Sequence, residues 1–525
     1  MKLNQNTISK IGKELQILVK GEVLFDEFSR GRYSTDASIY QITPIGVVIP
    51  KETNDVLNVL EYCKKNELPI LARGAGSSQC GQTVGECIIL DYSKFQDQIL
   101  DIDLNEKTAW VQPGLVLDQL NAQLKKYNLW FPVDVSTSSR ATIGGMTGNN
   151  SCGSRSLYYG NMVHNVEAVE AILDDGSLYT FENIDKDYLI TKNNQNRQYK
   201  IIEELIKIYL NNKKEINENF PKTQRRVGGY NLDLINPSGF NTSNILVGSE
   251  GTLSLFNKVK LKLSPIPKQK MLGLCAFQNF RQAMEITKEI VKLKPTAVEL
   301  MDDNLLNLAK AIPIFQGSIK KFFKGNPQAV LMVEFIDDNL NEVKHKIKDL
   351  ESLILSQNNN NVFSFHENLK DQKEIFEMRK AGLNILMSLL NEVFKKYNTT
   401  GMFYAHASVG TLHVRPIINM KSEQDIKNMR SITEEAFQMV KEYKGSHSGE
   451  HGDGILRSEF HEMMFGKKLV NAFENVKDLF DQKSVFNPYK IVRSYKQNDR
   501  SLMRYKADYK AEKINTHYDW SNWGE

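Results

Sequence analysis

The chain has 525 residues, enough for two or three domains. Its composition, 41% hydrophobic and 25% charged, is that of an ordinary globular protein, and a net charge of only +4 excludes the basic field of a nucleic-acid binder. The five cysteines, Cys63, Cys80, Cys87, Cys152 and Cys275, include no C-x-x-C pair and are odd in number. They argue against a disulfide framework, an iron–sulfur cluster or a structural zinc site within the chain, and for a reducing, cytoplasmic setting.

Residues 8–19 form a predicted helix, polar throughout, with no signal-peptide core. No stretch approaches the ~18 apolar residues of a membrane span, which leaves peripheral membrane association open. Residues 46–50 are a predicted strand. Residues 53–66 are a predicted helix, apolar at Val56, Leu57, Leu60 and Cys63, with Thr53 as N-cap. Residues 68–72 are a second strand, so the unit is strand, helix, parallel strand.

Arg73-Gly-Ala-Gly76-Ser-Ser78-Gln-Cys-Gly81-Gln82 follows that strand directly. Its backbone N–H groups can turn inward and cradle a pyrophosphate, with hydroxyls as further donors; a plain tight turn reads equally well. It is not the G-x-G-x-x-G nicotinamide fingerprint. A strand at 88–91, a strand and turn at 108–114 and an amphipathic helix at 115–127 come next. Residues 131–153 are dense in Gly, Ser, Thr and Asn and could be a linker, but Ile143 and Met146 supply core anchors, and a linker needs neither Pro132, Asn149 nor Asn150. Strands are predicted at 166–173 and 177–181 around a turn at Asp174-Asp-Gly176. Residues 183–243 are polar and helical in part. A strand running into a glycine turn is predicted at 245–253, and a further strand at 259–263.

Pro265-Ile-Pro267 marks a boundary. Beyond it, strands at 271–277 and 329–335 alternate with helices at 281–293 and 340–355, which suits an antiparallel sheet with helices on one face. Residues 358–361 read as a loop and 371–398 as one over-long helix containing Arg379. Helices are predicted at 425–443 and 462–480, and the last 33 residues are polar.

Five of the nine histidines lie between His406 and His461. His406 and His413 would point to opposite faces of a straight strand, because the side-chain period is two. Gly410 allows a turn that brings both imidazoles to one side. With Glu450 they would make two imidazoles and a carboxylate, the usual shape of a catalytic metal site, leaving His451 to move a proton. The bland alternative is a set of polar loop residues, each hydrogen-bonded locally.

Together these stretches resemble the FAD-linked oxidases with the vanillyl-alcohol-oxidase or PCMH-type flavin fold, and within them the D-2-hydroxyacid dehydrogenases acting on D-lactate, glycolate or D-2-hydroxyglutarate. The resemblance rests on Arg73-Gly-Ala-Gly76, Ala141-Thr-Ile-Gly-Gly145 with Asn149-Asn150, and Val247-Gly-Ser-Glu250-Gly-Thr-Leu253. The His406/His413 and Glu450-His451 stretches and Asn487-Pro488 complete it. It implies an α+β fold, with a two-subdomain FAD-binding domain and a ferredoxin-like α+β cap. The implied organisation is an N-terminal helical segment 1–42, an FAD-binding domain 43–267, a cap, substrate and metal domain 268–492, and a polar tail 493–525.

The resemblance further implies non-covalent FAD, since no histidine lies at 71–82 to link it. Arg73, Gly74, Ala75, Gly76, Ser77, Ser78, Gly81 and Gln82 would hold the pyrophosphate. Pro132, Ala141, Thr142, Gly144, Gly145, Asn149, Gly153 and Val166 would line the adenine and flavin path, and Gly248, Glu250 and Gly251 would close it. A divalent ion, zinc by resemblance, would sit on His406, His413 and Glu450 and chelate the substrate's carboxylate and 2-hydroxyl. His451 would be the general base, and the C2 hydrogen would leave as hydride to flavin N5. Arg379 is the implied carboxylate clamp; Arg415 either serves a second carboxylate or forms a surface ion pair. His447 and His461 are read as structural.

The motifs look most like the flavin half of long bacterial proteins that continue into an iron–sulfur domain. The implied acceptor is a separate iron–sulfur subunit or a quinone. Relative to such proteins a loop and strand are missing near Leu389, and the alternative to a dehydrogenase is a non-catalytic flavoprotein subunit. An oxygen-using oxidase is a further enzymatic reading.

Overall fold

Three parallel strands begin the fold and deliver the first glycine loop. Gly46–Ile49, Ile88–Asp91 and Ile70–Arg73 lie side by side in that order, with Glu22–Leu24 antiparallel at the edge. This is a computed structural model, and it describes residues 3–191, 196–302, 306, 313–323, 326–357, 361–381, 393–406, 409–507, 509–510 and 517. The helix Gln5–Leu18 is capped by Asn4, whose side chain accepts from Thr7 N, and packs Ile11 and Leu15 against Val56, Val59 and Leu60. The segment before residue 43 is thus built into the first layer. Thr53 is the first residue of the helix Thr53–Lys65 rather than its cap. Asp55, one turn in, instead accepts from Lys51 N and Lys20 N at 2.8 and 2.7 Å.

A second, five-stranded antiparallel sheet runs in the order Ile99–Asp103, Thr108–Val111, Leu255–Lys262, Val166–Ile172, Leu178–Phe181. The long helix Arg197–Asn219 and the helix Lys467–Phe480 pack together beside it, in one core with Phe181, Phe220 and Phe473. The 462–480 helix of the sequence reading is two helices, His461–Phe465 and Lys467–Phe480, because Gly466 at φ +82° breaks the path. Of the strand and glycine turn predicted over 245–253, the turn is present and the strand is not. Thr242–Ile245 is a 3-10 turn and the run continues in turns, with Gly248 N bonded to Thr147 O; this apolar run is buried against the loop and helix after Thr142 rather than in a sheet.

The cap sheet is antiparallel, in the order Ala297–Asp302, Ala329–Asp337, Gln269–Phe277, Val362–His366. Its central strands are apolar on both faces, and helices cover both, not one. Met271, Cys275 and Phe277 meet the helices Phe280–Lys292 and Leu340–Leu355, while Leu272, Leu274 and Ala276 meet Ile319, Phe322 and Ile375. The predicted helix 371–398 is helical over Leu369–Ala381 and again over 393–396. The join at 382–392, where the missing piece was placed, lies outside the described residues.

The chain then returns to where it began. Val485 and Phe486 join the core of the first layer, and Tyr40 Oη donates to Gln497 O. Among the described residues no helix is long and apolar enough to cross a membrane.

Candidate active site

Strand Ile70–Arg73 opens into the loop 74–82, and the loop is shaped from below by Arg73. The Arg73 guanidinium does not point to the cavity. It donates to the carbonyls of Tyr33, Thr83 and Thr35 at 3.1, 2.9 and 2.8 Å, beneath Gly76, where φ is +66° and a Cβ would strike it. A Cβ on Gly74 would collide with Thr142 Oγ1. Thr142 caps the short helix Ile143–Asn149 by accepting from Gly145 N. That helix holds three glycines in seven residues, so its cap and burial rather than propensity hold it together. The N–H groups of residues 75–78 have no partner among the described residues, which suits a loop that donates to a phosphate.

Loop and helix wall a cavity of about 570 Å³. Gly74, Ala75, Gly76, Ser77, Ser78, Ala141, Thr142, Gly145, Asn149 and Gly153 line it; Arg73, Gln82, Gly144, Glu250 and Gly251 line an adjoining cleft. Gly81, Pro132, Val166 and Gly248 line neither. Gly81 packs on Tyr40 and Val166 is in the core. The close glycine approach and the unbonded loop N–H groups of the described residues fit FAD.

At the far end the hairpin Gly401–His406 and Thr411–Pro416 turns at Gly410, φ +64°. His406 lies opposite Thr411 and His413 opposite Tyr404, which puts both imidazoles on one face with ring centres 5.4 Å apart. Glu450 comes between them: Oε1 is 2.9 Å from His413 Nε2 and Oε2 is 3.4 Å from His406 Nε2. One ligand atom from each of the three lies within 4.8 Å of the others. His406 Nδ1 lies 2.9 and 3.1 Å from the two oxygens of the buried Glu299, the carboxylate backing that holds a ligating imidazole in place. This donor set fits a divalent cation.

The electrostatics agree. Burial alone would raise Glu450, but His406 and His413 beside it hold it well below the usual carboxylate range. Burial pushes His413 down to about 4, so it is neutral; burial opposes a charge on His406 too, yet Glu299 raises it. Arg225 Nη1 donates to Glu450 Oε2 at 3.0 Å from a fully buried position, and its Nη2 donates to Gly153 O. His451 lines the cavity with Nε2 2.9 Å from Glu450 Oε1.

Three of the residues expected at the cofactor, all on the cavity or its adjoining cleft, also hold the loop that carries Glu450 and His451. Asn149 Nδ2 donates to Glu450 O at 2.9 Å and Gln82 Nε2 to His451 O at 2.6 Å. Glu250 accepts from the N–H groups of Asp453 and Gly454. Gly452, at φ +74°, passes so close to Gln82, Glu250 and Asn149 that no side chain fits.

The cap contributes Lys270, Leu369, Gln372, Lys373 and Phe376 to the same cavity. Arg379 belongs to the helix Leu369–Ala381, three positions beyond Phe376; its side chain is outside the described residues. Arg415, two residues beyond His413, is exposed and donates to Gln79 Oε1 at 3.4 Å. Arg155 ties the two halves: its guanidinium binds both oxygens of the cap residue Glu334 at 2.7 and 3.1 Å and Asp134 at 3.2 Å, and Lys270 also pairs with Glu334. Sequence reasoning missed Glu299, Arg225, Arg155 and Glu334. A lone acid in an apolar run was the available signal for Glu299, in Val298-Glu-Leu-Met301, and for Glu334, in Val330-Leu-Met-Val-Glu-Phe-Ile336; nothing local marked Arg225 or Arg155.

Residues 44–182 match the FAD binding domain, and residues 266–389 and 383–491 match the FAD linked oxidases, C-terminal domain. The chain is 27% identical to a D-2-hydroxyglutarate dehydrogenase of Haemophilus influenzae over 91% of its own length and 51% of that protein. It therefore spans about half the length of the first relatives it matches. It is also 27% identical to the glycolate oxidase subunit GlcD of Bacillus subtilis, over 92% of this chain and 97% of that one. The fold is shared with p-cresol methylhydroxylase, at TM-score 0.63 and 13% identity over 93% of this chain and 97% of that one. With both domains matched and the PCMH-type fold in place, the chain belongs to the FAD-linked oxidases.

Proposed function

We propose that this chain oxidises a D-2-hydroxy acid of the D-lactate or D-2-hydroxyglutarate type to the 2-oxo acid. The observation that carries the reading is the meeting of His406, His413, Glu450 and His451 at the end of the flavin cavity, with Glu299 behind His406. When bound, a divalent cation held by His406, His413 and Glu450 would lower the pKa of the substrate hydroxyl, and FAD would accept the hydride from C2. His451, on the cavity wall, takes the hydroxyl proton. Gln82 and Asn149 fix the backbone on which His451 rides, so the base is positioned by the same loops that surround the cofactor. The cap residues Leu369, Gln372 and Phe376 line the same cavity, where they would cover the reacting carbon. Lys373, on the cavity wall, would supply a cation toward a substrate carboxylate, with Arg379 as the expected clamp, and Arg415, bonded to Gln79 of the cavity wall, would suit the second carboxylate of a diacid.

The full-length likeness to a protein named as a subunit supports electron transfer to a separate iron–sulfur subunit, with a quinone as the other acceptor. The domains of the proposal are FAD-binding over 43–267 and cap, substrate and metal over 268–492. The test is anaerobic bleaching of the flavin by a panel of D-2-hydroxy acids, with and without zinc. Bleaching by one acid class, lost in His451→Ala, is the expected result. A bound flavin that no acid reduces, even with metal, sinks the reading in favour of a non-catalytic subunit.

A further inference from the structure

On the other side of the loop that presents Glu450 and His451, three more ligand-type side chains meet. His447, Asp453 and His461 are 6, 1 and 2% exposed, and one nitrogen or oxygen of each lies within 4.8 Å of the others. His461 Nε2 is 3.0 Å from Asp453 Oδ2, and His447 Nε2 is 3.7 Å from Asp453 Oδ1. Neither approach has hydrogen-bond geometry: His461 Nε2, both ring nitrogens of His447 and Asp453 Oδ1 are buried without a hydrogen-bond partner. His461 Nδ1 faces the carbonyl of Ile491 at 2.9 Å and so carries an N–H, which turns Nε2 toward Asp453. Imidazole nitrogens and a carboxylate left without partners in a dry site are costly unless something positive lies among them.

The spacing suits a metal better than a proton. Ligand atoms about 2.0–2.2 Å from a tetrahedral zinc stand roughly 3.4 Å from one another, off the direct line between donor and acceptor. Asp453 turns Oδ1 to His447 and Oδ2 to His461, so two imidazoles and a two-oxygen carboxylate supply four donor atoms. An outer shell is present: Gly229 N donates to Asp453 Oδ2 at 2.7 Å, and Ile491 O orients His461. Phe437, Phe465 and Phe473 ring the histidines edge-on. Gly228 leaves the room, since a Cβ there would sit 3.0 Å from His447 and 3.3 Å from Asp453. Glu250, a second buried carboxyl group, accepts from Asp453 N at 2.6 Å in the same region. The cysteine count spoke against a thiolate zinc site; it does not bear on this donor set.

We propose that His447, Asp453 and His461 hold a second divalent cation, zinc by its suitability for two imidazoles and a carboxylate, sealed away from the flavin cavity. It clamps the loop on both sides of Glu450 and His451 and ties it to the segment at Gly229 and to the helix His461–Phe465.

The test counts zinc per FAD in the full chain produced in zinc-supplemented medium, so that the metal is present as the chain folds, and then freed of unbound metal. The double variant His413→Ala/Glu450→Gln removes the cavity set alone. Two zinc ions in the wild type and one in the double variant are expected, the remaining ion resisting a chelator until the protein unfolds and disappearing on further His447→Gln substitution. A double variant that keeps FAD but holds under 0.1 zinc overturns the proposal and leaves an ion pair between His461 and Asp453. Zinc-edge anomalous scattering from wild-type crystals decides independently of whether the variants fold. A peak among His447, Asp453 and His461 supports the site, and its absence there with a peak at His413, or no peak at all, overturns it. Loss of only the ion at His413 would count against the proposed function, not against this site.

Discussion

Two sets of two histidines and a carboxylate lie on opposite faces of one short loop, and their surroundings differ. His406, His413 and Glu450 open onto a cavity and are flanked by charge, with Arg225 on Glu450 and Glu299 on His406. His447, Asp453 and His461 are walled by phenylalanines. The donor chemistry is the same; access is not. A site with room for substrate can do chemistry, while a sealed one can only hold structure. The sharpest way to break this contrast is to empty the open set. Glu450→Gln is expected to slow flavin reduction by about 10⁴-fold, the scale of lost charge stabilisation at a reacting oxygen, with the flavin spectrum retained. Stopped-flow absorbance checks it, and a variant within tenfold of the wild type would put the chemistry elsewhere.

His451→Ala separates proton transfer from cation binding. A positioned general base contributes about 10²–10⁴-fold, so flavin reduction should fall by about 10³-fold while the zinc content is unchanged. Zinc lost together with activity would make His451 a ligand rather than a base.

A third buried acid shows what fixed cations do in place of a metal. Burial opposes the charge on Glu334, yet Arg155 and Lys270 hold its carboxyl at about 2, below the ordinary 4.5. Because the folded-state value is depressed, its contribution is complete above about pH 5 and lost as pH falls from there toward 2. The difference corresponds to about 3 kcal/mol at neutral pH. Glu334→Gln should lower the urea-unfolding free energy by about that amount at pH 7 and flatten the loss of stability on acidification. An unchanged acid limb would mean that Arg155 does not dock the cap through this residue.

What could be read in the sequence was what lies close along the chain. The loop after Arg73 declares itself, because its glycines and serines are contiguous. His406 and His413 could be paired in advance, because Gly410 lies between them and the strand period demands a turn. The helix Ile143–Asn149 could not, since three glycines depress its propensity and its stability comes from the Thr142 cap and packing. The run 245–253 looked like a strand because burial alone does not distinguish a sheet from a buried turn. Arg225 was hidden in a polar stretch, 225 positions from Glu450. The folding of the chain back on itself, not any local pattern, places it there.

Glu299 is the subtlest of these long-range partners. It is 107 positions from His406, fully buried on the edge strand Ala297–Asp302, and lines the same cavity from the cap side. Its work is to accept from His406 Nδ1, which fixes the ring so that Nε2 faces Glu450. Glu299→Gln keeps size and one hydrogen bond but removes the charge that favours a basic, oriented imidazole. Partners of this kind are worth about 10–100-fold in metal affinity, so the variant should need that much more zinc for half-maximal flavin reduction, while saturating zinc restores most of the rate. A drop in rate that zinc does not rescue would mean that Glu299 acts on the proton transfer through His406 rather than on the cation, and no change in either would mean that packing alone sets the ring.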